Sequence, residues 1–273
     1  MDRLLNIDRR YIFIAVFVGV VLPLLIGFDL PIKPTKNVRA MYDTIEGLNP
    51  DDGDTVFISF DFGPSTITEM EPMARALLRH CFRRGIRVIG VTLIAEGVGI
   101  AQNLLDDTAA EFGSQYGRDY VFLGFKAGNE VLILNMGQDL PGTFPTDIKG
   151  NALESLAVTR DIKSLRDMDY VIDIASGYPG VDEWIQFGQE RYRFPFAAGC
   201  TAVMAPDFFP FLQAEQMNGL MAGLGGGAEY ETLIGRPDKA VAGMRPQSVG
   251  HLVIIMFILF GNVAYFAGKK NRS

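Results

Sequence analysis

Apolar positions along this chain follow two patterns, one continuous and one periodic. The continuous pattern occupies residues 11–28 and 249–268, which read YIFIAVFVGVVLPLLIGF and VGHLVIIMFILFGNVAYFAG. The first carries no charge, and the second has only His251 and Asn262 as strongly polar side chains. About 20 apolar residues in a helix cross the hydrocarbon core of a bilayer, so both runs are predicted to be transmembrane helices. Pro23 predicts either a kink in the first or a neighbour that compensates for its missing donor. That run leads into Asp29-Leu30-Pro31-Ile32-Lys33 and not into a small-x-small cleavage site, so it is expected to remain as an anchor.

The periodic pattern lies between them. Residues 55–61 (TVFISFD) and 86–94 are nearly continuous short apolar runs, as strands buried on both faces are. Between them, Met70, Met73, Ala74, Leu77, Leu78 and Cys81 recur at helical spacing, and Gly85 stands where a helix C-cap belongs. A further helix is expected to end near Tyr116-Gly117. Strand candidates follow at 120–125, 130–135, 170–175 and 196–204, and helices at 180–191, from Ala205 to about Glu215, and at 217–234, with a shorter one at 40–47. Strand and helix in alternation imply right-handed crossovers and a parallel sheet. The predicted fold is an α/β domain with a Rossmann-like or flavodoxin-like, mostly parallel sheet of about five strands, with helices on both faces, flanked by two single transmembrane helices. Its layout is a basic tail (1–10), a span (11–28), the α/β domain (29–248), a second span (249–268) and a second basic tail (269–273).

Charge refines this picture. The chain has a formal net charge of −7. Both tails are basic, through Arg3, Arg9 and Arg10 and through Lys269, Lys270 and Arg272, which by the positive-inside rule puts both termini in the cytoplasm and the domain outside it. Without the six basic and two acidic tail residues the remainder has a net charge of about −11. Such a domain repels phosphate backbones, so nucleic acid is not an expected partner. Cys81 and Cys200 are too few for a disulfide framework and sit in apolar settings typical of buried thiols.

Ligands of doubly wound sheets settle at the carboxyl ends of the strands. The candidate ligand-binding residues are therefore Asp61, Gly63, Ser65, Thr66, Glu96, Asp173, Ser176 and Gly177. Ser65 or Thr66 with Glu69 also resembles a helix capping box. Asp61-Phe62-Gly63 matches the metal-binding triplet of protein kinases, but the rest of that signature is missing. Neither a Gly-x-Gly-x-x-Gly turn after the first strand nor a Walker loop is present. His80 is the domain's one histidine, which leaves no second histidine for a Ser-His-Asp triad and too few soft donors for a metal site. No cofactor and no metal are predicted.

Gly219, Gly223 and Gly227 recur every fourth residue, and on a helix they would form a smooth strip for close packing against a neighbour. A glycine-rich ligand loop at 225–227 is the other reading of this segment. Phe208, Phe209 and Phe211 supply a nearby aromatic cluster, either sheet-facing core or a surface for a partner. The sequence thus leads to a membrane-anchored, non-catalytic scaffold or complex subunit that associates with itself or a partner. The alternative is a small-ligand-binding or hydrolytic domain working at the strand ends.

Overall fold

The computed structural model describes the backbone of residues 8–28 and 31–270, and the side chains of these up to residue 266. The side chains of Arg3, Lys269, Lys270 and Arg272 and the junction Asp29-Leu30 lie outside the described residues. The chain divides into two units, one running Ile32–Ala240 and the other made of the two terminal segments.

Among the described residues, unit Ile32–Ala240 contains one six-stranded, all-parallel sheet. Its strands are β1 (Thr55–Asp61), β2 (Arg87–Thr92), β3 (Tyr120–Phe125), β4 (Tyr170–Ala175), β5 (Phe196–Cys200) and β6 (Gly219–Ala222), in the order β3-β2-β1-β4-β5-β6. That order is the doubly wound one, with its reversal between β1 and β4. β1 and β4 are buried along their whole length, which explains their continuous apolar character.

The principal helices are α1 (Arg9–Leu25), α2 (Lys36–Gly47), α3 (Ile67–Arg84), α4 (Val98–Phe112), α5 (Asn129–Gln138), α6 (181–192), α7 (Ala205–Gln213), α8 (Gly223–Leu233) and α9 (Lys239–Lys270). Side chains alternate across a strand, and the two faces of β1 divide accordingly. Val56, Ile58 and Phe60 join a core with Met41 of α2, Leu77 of α3, Leu105 of α4 and Tyr230 of α8. Phe57 joins the opposite core, with Ile133 of α5, Trp184 of α6 and Phe208 of α7. Gly85 ends α3 as predicted, at φ 74°, with its N–H bonded to the Cys81 and Phe82 carbonyls. Both cysteines are buried free thiols.

Three expectations are corrected. Residues 130–135 lie in α5, not in a strand. A short apolar run does not separate strand from helix by itself. The predicted helix over 217–234 is β6 followed by α8, because Gly223 takes φ +59° and turns the chain between them. The glycine strip therefore does not exist as one helical face. The capping box is not formed either: α3 has no side-chain cap, and Glu69 instead accepts from the Ala202 N–H at 2.9 Å.

Among the described residues, one helix is long and apolar enough by length and composition to cross a membrane, over Lys239–Phe266. Two were predicted from sequence, but α1 has 17 residues, with its C-cap at Ile26, and does not reach that length. Glycines mark where the two helices meet. A Cβ on Gly19 would lie 2.9 Å from Val253 Cγ2, and one on Gly250 would lie 3.3 Å from Val20 Cγ2. The pairing is antiparallel, since Gly27 approaches Arg245.

Candidate functional site: a buried carboxyl pair at the strand switch

β1 and β4 pair with Ser59 opposite Asp173 and Asp61 opposite Ala175. Ser59, Asp61 and Asp173 consequently share one face of the sheet, the one that carries Trp184. All three are 0% exposed. In two otherwise apolar strands these polar residues lie where the strand order reverses.

The hydrogen bonds are distributed unequally. Asp61 Oδ1 accepts from the Leu93 N–H at 2.6 Å, and Oδ2 accepts from the Ser59 hydroxyl at 2.7 Å and the Trp184 indole N–H at 3.2 Å. Among the described residues, no donor reaches either oxygen of Asp173. Its neighbour is Asp61, and two carboxylates, both acceptors, bond only through a proton. Burial raises Asp61 to about 6, against the pull of its three donors. Burial raises Asp173 well above the usual carboxylate range, and the charges of Asp61 and Glu183 raise it further. At neutral pH the pair therefore keeps one proton, on Asp173, whose O–H faces the Asp61 carboxylate.

Trp184 lies at the start of an irregular helical stretch. Residues 181–192 contain a π-helical stretch, Trp184–Gln189, between short α-helical turns. Trp184 opens that stretch, with its backbone N–H bonded to the Gly180 carbonyl at 3.1 Å and its indole N–H to Asp61. The segment 176–180 covers the pair. Ser176 N–H donates to the Asp61 carbonyl at 3.1 Å, and Gly180 N–H donates to Glu183 Oε2 at 2.8 Å. A Cβ on Gly180 would come within 2.6 Å of Ala175 Cβ and 3.6 Å of Asp173 Oδ2, so this backbone passes directly over the acid.

The predicted residues thus separate into groups. Asp61 and Asp173 form the buried centre, and Ser176 and Gly177 belong to the cover. Gly63 lies beside Glu96, whose Oε2 would be 3.2 Å from a Cβ at that position, and the Thr66 hydroxyl donates to the Gly63 carbonyl at 3.4 Å. Ser65 is exposed. Ser59 and Trp184 were not among the predicted site residues. The alternation Ser59-x-Asp61 within an apolar strand was the available signal for the first, whereas nothing in the sequence marks the packing of the 181–192 helix that brings Trp184 there.

Phe208 is buried, Phe209 is 45% exposed and Phe211 packs against the core. Each glycine of the former strip makes a close approach within the unit: Gly219 to Met41 and the Asn37 carbonyl, Gly223 to Ala202 and Glu69, Gly227 to Met73 and Ala240. The Glu69 carboxylate lies 2.7 Å from a Cβ built on Gly223, and so occupies the start of α8 where an anionic ligand would bind. Two cavities of about 340 and 460 Å³ lie elsewhere, at the carboxyl end of β3, and share Lys126 and Thr143. Set against known protein families, curated proteins and solved structures, the chain matches none.

Proposed function

We propose that this chain is a membrane-anchored, non-catalytic α/β subunit that associates with copies of itself or with a partner protein. The observation that carries the reading is the terminal unit. α9 exposes Leu252, Ile255, Ile258, Leu259, Phe260 and Val263, and α1 exposes Tyr11, Phe13, Phe17 and Leu24. Apolar surface on this scale calls for lipid or protein around it. The antiparallel contact through Gly19 and Gly250 supports reading the two helices as a hairpin, in which α1 spans about 26 Å and residues 26–28 extend it. Both basic tails then face the cytoplasm and the acidic domain lies outside it. Size measurement of the intact chain in mild detergent tests the self-association: a strictly monomeric particle overturns it. Protease digestion of sealed vesicles tests the orientation, and loss of the α/β domain only after the cytoplasmic face is opened would reverse it.

One observation favours a second reading, that of a ligand-binding or hydrolytic domain. A neutral acid beside a carboxylate, at a strand switch, is an arrangement that separates proton donor from acceptor. On this reading Asp173 donates and Asp61 accepts. Asp61→Asn and Asp173→Asn should each abolish thermal stabilisation by any small molecule found to bind the wild type. Retention of that stabilisation in both variants removes the site.

A further inference from the structure

We propose that segment 176–180 is a proton-linked lid over the strand switch, closed while Asp61 and Asp173 share one proton and opened as that proton passes to water. The inference is independent of both readings above, because it needs neither a partner nor a ligand.

The cover is held at three places. Its base is tied by Ser176 N–H to the Asp61 carbonyl and by Gly180 N–H to Glu183. Its tip is tied across the sheet edge to the start of α5, where Tyr178 O–H donates to Glu130 Oε1 at 2.7 Å and Asn129 Nδ2 donates to Tyr178 Oη at 3.4 Å. The tip is exposed, with Tyr178 68% accessible, and Gly177 and Gly180 flank it. Such a fastening is easily broken by water. Beneath it both acids are shut off from bulk solvent, where a second negative charge is costly.

The linkage follows from these two environments. Closed, the pair is Asp173–COOH against Asp61–COO⁻. Opened, both carboxyls meet water and both ionise at neutral pH, with one proton transferred to a water molecule. Facing the pair are the Ser59 hydroxyl from β1, the Leu93 N–H beyond β2, the Trp184 indole and Glu183 carboxylate from α6, and the Cys200 thiol from β5. Cys200 stays protonated, since burial pushes it up to about 12, and the charge of Glu183 adds to the repulsion that follows ionisation. One proton released per opening makes the open-to-closed ratio rise up to tenfold per pH unit.

Trp184 is the chain's single tryptophan and hydrogen-bonds the pair, so it reports on the lid directly. The test is acrylamide quenching of the intact protein in detergent from pH 5 to 9, with hydrogen exchange of peptides covering 176–180 over the same range, corrected for intrinsic rates. Quenching and exchange should rise together with pH while far-ultraviolet circular dichroism stays constant. Asp173→Asn, whose amide can donate to Asp61 without a titrating proton, should hold both readouts at the closed level. Tyr178→Phe, which loses the tip fastening, should move the midpoint to lower pH. Flat wild-type profiles overturn the proposal, as does an unchanged rise in Asp173→Asn. If that variant does not fold, Asp173→Leu, which also removes the carboxyl that carries the proton, takes its place under the same criterion.

Discussion

Two buried polar clusters lie on opposite faces of one sheet and resolve the cost of burial in opposite ways. On the α3 side, His80 is fully buried and both ring nitrogens are partnered, Nδ1 with the Tyr230 hydroxyl at 2.8 Å and Nε2 with Glu46 at 3.1 Å, while Tyr42 stacks on the ring at 4.6 Å. Burial pushes the imidazole down to about 4, so it is neutral, donating through Nε2 to Glu46 and accepting at Nδ1 from Tyr230. On the α6 side, Asp61 is satisfied three times and Asp173 has only a shared proton. A satisfied cluster joins helices and can be silent. An unsatisfied one depends on conditions, and the difference marks which face is built to respond.

The largest test of this contrast is Asp61 against Asp173. Asp61→Leu leaves the Leu93, Ser59 and Trp184 donors without their acceptor and should cost about 3–5 kcal/mol in denaturant unfolding. Asp173→Leu removes an acid that no other donor contacts, and at pH 8 should be neutral or stabilising. Equal losses from the two would erase the asymmetry. Next in size, His80→Leu strands the Tyr230 hydroxyl and should cost about 1–3 kcal/mol by the same measurement.

The pH dependence of unfolding separates the faces further. Asp61 is raised in the fold from 3.8 to about 6, so the stability it contributes is present below its unfolded value and is lost as pH rises through the folded one. His80 is lowered from 6.5 to about 4, so its contribution is present above the unfolded value and is lost as pH falls through the folded one. The two slopes oppose each other between about pH 4 and 6, at roughly 1.4 kcal/mol per pH unit for one proton. With His80→Leu, stability should fall as pH rises across that interval. With Asp61→Asn and Asp173→Asn combined, it should rise instead. The same slope in both variants would show that these groups do not govern the profile. The smallest expected effect is Glu46→Gln, which keeps an acceptor for His80 on a partly exposed side chain and should cost less than about 1 kcal/mol in thermal unfolding.

Most of the sheet was legible because its central strands are apolar without interruption. β1, β3 and β4 were predicted at their observed bounds, whereas β2 and β5 were drawn too long by the apolar or β-branched residues beyond them. β6 was not seen. Gly219 suits it by admitting Met41 closely, so packing against α2 dictates a strand where periodicity in the sequence suggests a helix. α5 was missed for a related reason: Val131, Leu132, Ile133 and Leu134 fit either state, and contact with 181–192 decides for helix. At the site, Asp61 and Asp173 were both singled out in the sequence, Asp61 at the end of β1 and Asp173 as the lone acid within β4. Their contact was not, since it requires the register between β1 and β4, and neither was Trp184, which reaches Asp61 only through the packing of its helix on the sheet.

The strand order has a further consequence, for how the chain folds. β1 and β4 are neighbours in the sheet, yet Thr55 and Asp169, which join their starts by a hydrogen bond, are 114 residues apart. The pairs β1–β2 and β4–β5 close much shorter loops, so the halves β1–β3 and β4–β6 are expected to form first and dock second. Conservative substitutions at the β1–β4 seam should then accelerate unfolding more than they slow folding, which stopped-flow kinetics can read. The acid pair would be completed only at docking, and the bulk of its ionisable burden would be absent from the nucleus.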